Sequence, residues 1–480
     1  MSTALKVFAI YTIIFTQMLD TSVANLALTN ISSSLYIDVY YSSWIMTSFG
    51  TGLVISFSLG NLLGKIYSTD AVLVIGVLVF TAASLGCGVS TNAAEFLAWR
   101  FLQGLGSGVA VVVSQSHLFR MLGESRRTFA ISLWGSAFSL APVMGPLVGA
   151  IVTEHLSWRW LFLINIPLMT VSLLILLPDF SLSRAAEKTK ALPFTTLITF
   201  ALLVASTQYV LDFGEQLGWL DSFSIVVATV ISVVSLVVFV NANRRNALFD
   251  FRVFRDFNYA IATTVSCLGN GLLFASLVFL PLWMQRDYDM PILEAGVIVS
   301  VASGVAAILT PLLGKYLPSR WLGFAAIFSL SITAFSFVLM SQFSLDSSSD
   351  YMVLSRIIAG LGLATFTLPL TALALKNIPS QNVVNANAIG LMLRVVSANA
   401  FVAIGFAAFN HIRKVKELDY LSTPDRLTNL KYYAGIPDGV SSYLSHWFST
   451  SAMTSMFWLS ALLFAIFAVA VTPVVMRISR

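Results

Sequence analysis

The stretch Ser136-Ala-Phe-Ser-Leu-Ala-Pro142-Val-Met-Gly145-Pro146-Leu-Val-Gly149-Ala150 lies inside a run of 26 residues, Thr128 to Thr153, that carries no charge. A helix needs roughly 20 residues to cross a hydrocarbon core about 30 Å thick, so this run is long enough to span one. Pro142 and Pro146 each remove a backbone donor. Within a spanning helix that defect is tolerated where neighbouring helices or a polar cavity satisfy the freed carbonyls. Gly145 and Gly149, one turn apart, let another backbone approach closely. On its own the run reads equally as a kinked packing helix or as a working part.

The rest of the chain places it in a membrane. With 57% hydrophobic and 10% charged residues and a mean hydropathy of +0.86, 480 residues cannot hide their apolar surface in one soluble core. Apolar runs recur from Phe8–Asn30 to Met453–Met476, fourteen in all, and the fold class they imply is an all-α integral membrane protein. Of the 27 Lys and Arg, seventeen fall on the side of the N-terminus and seven on the other, while Arg100, Arg356 and Arg394 lie within helices. By the positive-inside rule both termini are cytoplasmic, in a multi-pass protein of a cell (inner) membrane. The first run follows Lys6 but carries Asp20 and no cleavage site, so it reads as a retained helix. The net charge of +5 expresses topology, and no basic stripe with interleaved aromatics points to nucleic acid.

A weak internal repeat organises the helices. Arg100-Phe-Leu-Gln-Gly104-Leu-Gly106 returns as Arg356-Ile-Ile-Ala-Gly360-Leu-Gly362, and Leu62-Leu-Gly64-Lys65 returns as Leu312-Leu-Gly314-Lys315. Many transporters are built from such repeats around a midplane site. The expected division is a six-helix half over 1–178, two inserted helices with cytoplasmic flanks over 179–258, and a second six-helix half over 259–480 with a long outer loop, 411–449.

Ala141-Pro142-x-x-Gly145-Pro146-x-x-Gly149 resembles the fifth-helix antiporter motif of exporters in the major facilitator superfamily. Leu19-Asp20-Thr-Ser-Val-Ala-Asn25, Trp44-Ile-Met-Thr-Ser-Phe-Gly50, Arg100-x-x-Gln103-Gly104 and Trp158-Arg-Trp-Leu-Phe-Leu-Ile-Asn-Ile-Pro167 resemble, in order, motifs of its fourteen-helix drug:proton antiporter branch, EmrB/QacA type. The likeness runs through nearly the whole chain and implies a major facilitator fold of fourteen transmembrane helices, two six-helix pseudo-repeats plus two inserted helices. It also implies proton-coupled efflux of lipophilic, cationic small molecules, and a proton or cation coupling role for the acid at Asp20. One departure stands out. After the second helix the family reads Gly-x-x-x-Asp-Arg-x-Gly-Arg-Arg or Lys, whereas this chain has Gly60-Asn-Leu-Leu-Gly64-Lys65-Ile-Tyr-Ser-Thr69. The cytoplasmic gate is therefore expected to close by other contacts.

Charges inside lipid are costly and face a cavity or a partner, which makes them the candidates for mechanism. At 1.5 Å per residue Asp20 and Arg100 lie at similar depth, some 11–12 Å below the outer surface, so the two can pair. Gln17 shares the face of Asp20, and Gln103 that of Arg100. Desolvation and a neighbouring guanidinium act on a carboxylate in opposite senses, which would poise Asp20 for proton exchange. The competing reading makes both charges structural anchors. Arg394, with Asn387 on its face, reads as structural or gating; Asn25 and Asn270 are candidates for a pocket. Glu95 and Asp212, at estimated helix ends, read as solvated. The four histidines show no metal spacing, no cofactor is indicated, and the missing P-loop leaves an ion gradient as the energy source. Expected partners are the bilayer, protons, a small-molecule substrate and, by resemblance to Emr-type pumps, a periplasmic adaptor docked on loop 411–449. Two other functions fit the same residues: a dedicated exporter of one endogenous siderophore, fatty acid or lysolipid, and a scaffold or receptor that no longer transports.

Overall fold

In a computed structural model the protein is described over residues 3–38, 42–123, 127–179, 193–245, 248–318, 321–379, 383–422 and 438–479. All its regular elements there are helical. The first half holds α1 (Thr3–Val23), α2 (Leu28–Ser34), α3 (Ser43–Ile66), α4 (Thr69–Val89), α5 (Ala93–Leu122), α6 (Arg127–His155), α7 (Trp160–Leu163) and α8 (Asn165–Leu176). Two inserted helices follow, α9 (Phe194–Leu217) and α10 (Phe223–Arg245). The second half holds α11 (Phe257–Arg286), α12 (Ile292–Tyr316), α13 (Leu322–Met340), α14 (Ser349–Leu375), α15 (Val383–Ser422) and α16 (Asp438–Ser479). Among the described residues twelve helices are long and apolar enough to cross a membrane. The charge-free run at α6 and the shorter apolar helix Trp160–Leu176 occupy the two remaining places in the fourteen-helix order. The chain forms two compact units, Met1–Arg252 with Val384–Ala400, and Val253–Val383 with Phe401–Arg480.

The repeat seen in the sequence is a packing repeat. A Cβ on Gly104 of α5 would lie 2.0 Å from the Phe49 carbonyl of α3, and one on Gly106 2.5 Å from the Phe80 amide of α4. In the second unit a Cβ on Gly360 of α14 would lie 2.6 Å from the Ala302 carbonyl of α12, and one on Gly362 2.3 Å from Thr333 Oγ1 of α13. Each Arg-x-x-x-Gly-x-Gly helix is thus pressed at its first glycine against the helix two before it, and at its second against the helix one before. No larger residue fits without moving backbone or neighbour.

The antiporter-like helix packs on α1. Cβ atoms on Gly145 and Gly149 would fall 2.0 Å from Ser22 Oγ and 2.5 Å from the Val23 carbonyl. Ser22 Oγ also donates to the Ala141 carbonyl at 3.3 Å, beside Pro142, whose own side chain lies outside what the structure describes. This bond adds a polar tie between α6 and α1.

Three features differ from the sequence reading. The sequence reads Leu161–Pro178 as one of the fourteen apolar runs, and the structure breaks it at Ile164 into α7 and α8, because Pro167 has no N–H to offer the Leu163 carbonyl. Asp212 is half-buried inside α9 rather than solvated at its end: it accepts from Thr47 Oγ1 at 2.7 Å and from Gln208 Nε2 at 3.2 Å. Its backbone carbonyl takes Trp44 Nε1 at 3.0 Å, and Trp44 stacks on Phe213 at 3.9 Å, so this contact docks the inserted helices on α3. Finally, much of the segment 411–449 is helix, not loop. His411–Ser422 continues α15, Asp438–Ser449 begins α16, and the intervening 423–437 lies outside the described residues. Lys416 Nζ donates to the Ser451 carbonyl (2.8 Å) and to Ser455 Oγ (2.8 Å), and Tyr420 meets Phe448 edge to face at 5.4 Å, so the two extensions are laced together. Hydropathy signals lipid rather than helix, which is why a helix leaving the bilayer reads as a loop.

Candidate functional site

Asp20 lies near the end of α1, with its side chain 1% exposed, and it is fully engaged. Oδ2 accepts from Arg100 NH1 at 2.5 Å. Oδ1 accepts from Gln103 Nε2 at 3.2 Å and from Asn165 Nδ2 at 3.1 Å. Arg100 NH1 also donates to Gln103 Oε1 at 2.7 Å, and Arg100 Nε to the Ile45 carbonyl of α3 at 3.2 Å. Ser84 of α4 closes the ring, its Oγ accepting from Gln103 Nε2 at 2.9 Å. The guanidinium is sandwiched by aromatic faces, 4.5 Å from the Phe49 ring centroid and 5.4 Å from that of Phe162. The network around this carboxylate therefore joins five helices in a buried site: Asp20 links α1 to α5 and α8 through charge-assisted bonds, Arg100 reaches α3, and Gln103 reaches α4.

The local sequence explains how each group arrives there. Arg100 and Gln103 are three residues apart, hence on one face of α5. Asn165 is presented at the first position of α8, just after the break. The residues before it anchor that break. Arg159 NH1 donates to the Gly88 and Ser90 carbonyls at the C-terminal end of α4, at 3.2 and 2.7 Å, where a cation also suits the helix dipole. Trp158 is buried, bonded through Nε1 to Ser34 Oγ of α2 at 3.0 Å and set edge-on to Phe96 at 5.6 Å.

Other expected site residues stand apart from this network. Gln17 and Asn25 are buried, and neither amide has a hydrogen-bond partner among the described residues. Asn270 is half-buried in α11; Arg394 is half-buried and Asn387 exposed in α15. None of the five bonds to Asp20. Asn165 and Ser84 carry no charge to single them out in an apolar background, although Asn165 lay within the quoted Trp158–Pro167 motif.

The departure at Gly60–Thr69 also has a structural answer. Ser68 Oγ caps α4 by accepting from the Ala71 amide at 3.2 Å. Asp70, in the first turn, is buried and bonds His117 Nε2 at 2.8 Å and the guanidinium of Arg120, both on α5. This acid, ten residues after Gly60, ties α4 to the end of α5.

Spanning helices, a glycine-packed repeat and a charge network at one mid-membrane acid describe a carrier. A family profile described as Major Facilitator Superfamily matches residues 10–402. The chain belongs to the Major Facilitator Superfamily. It is a multi-pass membrane transporter of small molecules, in a superfamily of non-enzymes. Similar proteins include "Probable multidrug resistance protein EmrY" of Escherichia coli K12, 26% identical over 95% of this chain and 92% of its own length. "Multidrug export protein EmrB" of the same strain is 26% identical over 81% of this chain and 77% of its own. "Fatty acid resistance protein FarB" of Neisseria gonorrhoeae is 26% identical over 82% of this chain and 78% of its own. Among solved structures, a peptide transporter POT in complex with sulfate superposes with a TM-score of 0.67 over 99% of this chain and 95% of its own, at 16% identity, a likeness of fold alone.

Proposed function

We propose that this protein is a proton-coupled exporter of lipophilic small molecules, in which Asp20 is the proton-accepting group and Arg100, Gln103 and Asn165 are its counter-groups. The observation that carries the reading is the enclosure of Asp20. An ionised carboxylate holds three donors from α5 and α8; a protonated one gives up charge-assisted bonds on at least one oxygen and loosens α1 from those helices. Protonation at one site is thereby converted into a change in helix contacts, the coupling that antiport requires. The multidrug names of the similar EmrY and EmrB proteins support drug-like substrates. The charge bias of the loops supports a cell (inner) membrane location with both termini cytoplasmic. In this reading Arg394, Asn387, Asn25 and Asn270 belong to gating or pocket surfaces, and the laced helical extensions of α15 and α16, with the segment between them, are the docking element for a periplasmic adaptor.

The deciding experiment is efflux by purified protein in proteoliposomes under an imposed proton gradient. Asp20→Asn, which mimics the protonated acid permanently, should insert and bind substrate yet lose gradient-driven transport. Wild-type efflux in that variant removes Asp20 from the mechanism.

A further inference from the structure

Asp212 is a second acid within a spanning helix, and the scheme built on Asp20 does not use it. It lies in α9 five residues before Leu217, about 7 Å from the helix end at 1.5 Å per residue, on the side that the positive-inside rule makes the outer one. Charges are costly inside lipid and are normally paired. Both groups bonded to this carboxyl are neutral: Thr47 Oγ1 meets Oδ2 at 2.7 Å and Gln208 Nε2 meets Oδ1 at 3.2 Å. Among the described residues no cation forms an ion pair with Asp212. The elements packed on α9 bring none close. Between Ser43 and Gly64 α3 has no ionisable side chain, and α10 has none before Arg244 at its far end. The turn Trp219–Asp221 adds only the exposed acid Asp221. Within α9 itself the other titratable groups are Tyr209, stacked on Phe213 at 4.7 Å, and Glu215, which accepts from Trp219 Nε1 at 3.0 Å.

What the site offers is a place for a proton. Thr47 is fully buried, and its one hydroxyl hydrogen has two acceptors within reach, Asp212 Oδ2 and the Ser43 carbonyl at 3.1 Å. With the carboxyl ionised, the hydroxyl donates to Oδ2. With it protonated, Oδ2 donates to Thr47 Oγ1 and the hydroxyl turns to the Ser43 carbonyl. Gln208 donates to Oδ1 in both states, so a proton enters or leaves while the heavy atoms stay in place and stay bonded. Asp20 has no such freedom, because the groups that meet it, Arg100, Gln103 and Asn165, are all donors. We infer that Asp212 is a second proton-binding site of this transporter, and that α3 senses its state. The helix is placed to do so. Trp44 and Thr47 hold Asp212 by its backbone carbonyl and its carboxyl, while Ile45 and Phe49 hold Arg100 through a carbonyl at 3.2 Å and a ring at 4.5 Å. The same two turns of α3 thus touch both acids. Trp44 and Thr47, both members of the second-helix motif, gain a task beyond packing, and the inserted helices carry a titratable group of their own.

The test reads protonation rather than transport. Infrared difference spectra are recorded on the purified full-length protein in lipid bilayers, between mildly acidic and mildly alkaline buffer, a window in which solvated carboxylates stay ionised. Wild type should lose, on the alkaline side, a protonated-carboxyl component that Asp212→Asn lacks throughout. Asp212→Glu should show that component at a shifted frequency. Asp20→Asn should keep it whatever its transport phenotype, which separates failure of this site from failure of the Asp20 scheme. The emission lost in Trp44→Phe isolates the Trp44 signal. It should change with pH in step with the carboxyl component, and become independent of pH when Asp212→Asn is added to both proteins. A set of protonated-carboxyl components left unchanged by Asp212→Asn overturns the proton site. Trp44 emission that ignores pH while the Asp212 component titrates overturns the sensing by α3.

Discussion

Arg100 and Arg356 begin the same motif on equivalent helices, are both buried, and live in opposite electrostatic conditions. Arg100 is bonded to a carboxylate, an amide and a carbonyl and lies between two aromatic rings. Arg356 has a thioether within reach; each arginine leaves one buried nitrogen unbonded among the described residues, NH2 of Arg100 and Nε of Arg356. The backbone frame around each is held by an equivalent pair of glycines, so the difference lies in the surrounding side chains rather than in architecture. A duplicated scaffold can keep a cation in both halves while pairing one of them with an acid and, among the described residues, giving the other none.

The comparison is broken most decisively by removing each arginine. Arg100→Met leaves Asp20 buried without its counter-charge and should cost about 3–5 kcal/mol, whereas Arg356→Met removes an uncompensated charge and should range from no change to a gain of about 2 kcal/mol. Thermal unfolding of the two purified variants against wild type measures both, and equal destabilisation would mean that Arg356 has an internal partner after all.

The glycine contacts sharpen the same picture at lower cost. Gly149→Leu must displace the Val23 carbonyl of α1, so it should lower stability by about 1–3 kcal/mol, as overpacking does, and block the transport cycle. By contrast a Cβ on Gly304 of α12 meets nothing within 4 Å, and Gly304→Ala should stabilise by about 0.5–1 kcal/mol through helix propensity alone. Melting temperatures shifted in opposite directions would confirm the contrast; a neutral Gly149→Leu would mean that α6 does not depend on α1.

The smallest expected effect concerns Asp287, an acid just past the end of α11. Burial pushes the Asp287 carboxyl up from its ordinary 3.8, against the opposing hydrogen bond from His446 Nδ1 at 3.2 Å. The folded state therefore holds a proton that the unfolded chain has released, and stability falls as pH rises from the unfolded value through the raised one, then levels off. Asp287→Asn cannot release that proton. The difference in melting temperature between Asp287→Asn and wild type should grow across this window and stay constant above it. A difference independent of pH would show that this carboxyl does not titrate there.

Much of this was legible in the chain itself, for reasons that differ by residue. Asp20 and Arg100 stood out because lipid makes mid-helix charges rare, and their equal depth follows from counting 1.5 Å per residue. Gly145 and Gly149 marked a close face because small residues one turn apart have few other uses in a spanning helix. Asn165 and Ser84 did not stand out, since a neutral polar side chain costs little enough in a bundle to be common. Asp212 was misplaced by a few residues of helix boundary, enough to turn a half-buried partner of Thr47 into a solvated end. The acid Asp70 was missed because it lies outside the loop where the family carries one, and only the fold shows that α4 begins there and faces His117 and Arg120.

The extension of the last helix has a mechanical consequence. At 1.5 Å per residue the 42 residues of α16 are about 63 Å long, roughly twice the thickness of a hydrocarbon core. The lacing of Lys416 to Ser451 and Ser455 and of Tyr420 to Phe448 braces its projecting end against α15. A braced rod that continues past its pivot acts as a pointer: a tilt of the embedded part sweeps the free end through an arc that grows with the projecting length. Any tilt of the helix inside the bilayer would therefore appear as a larger displacement of that end.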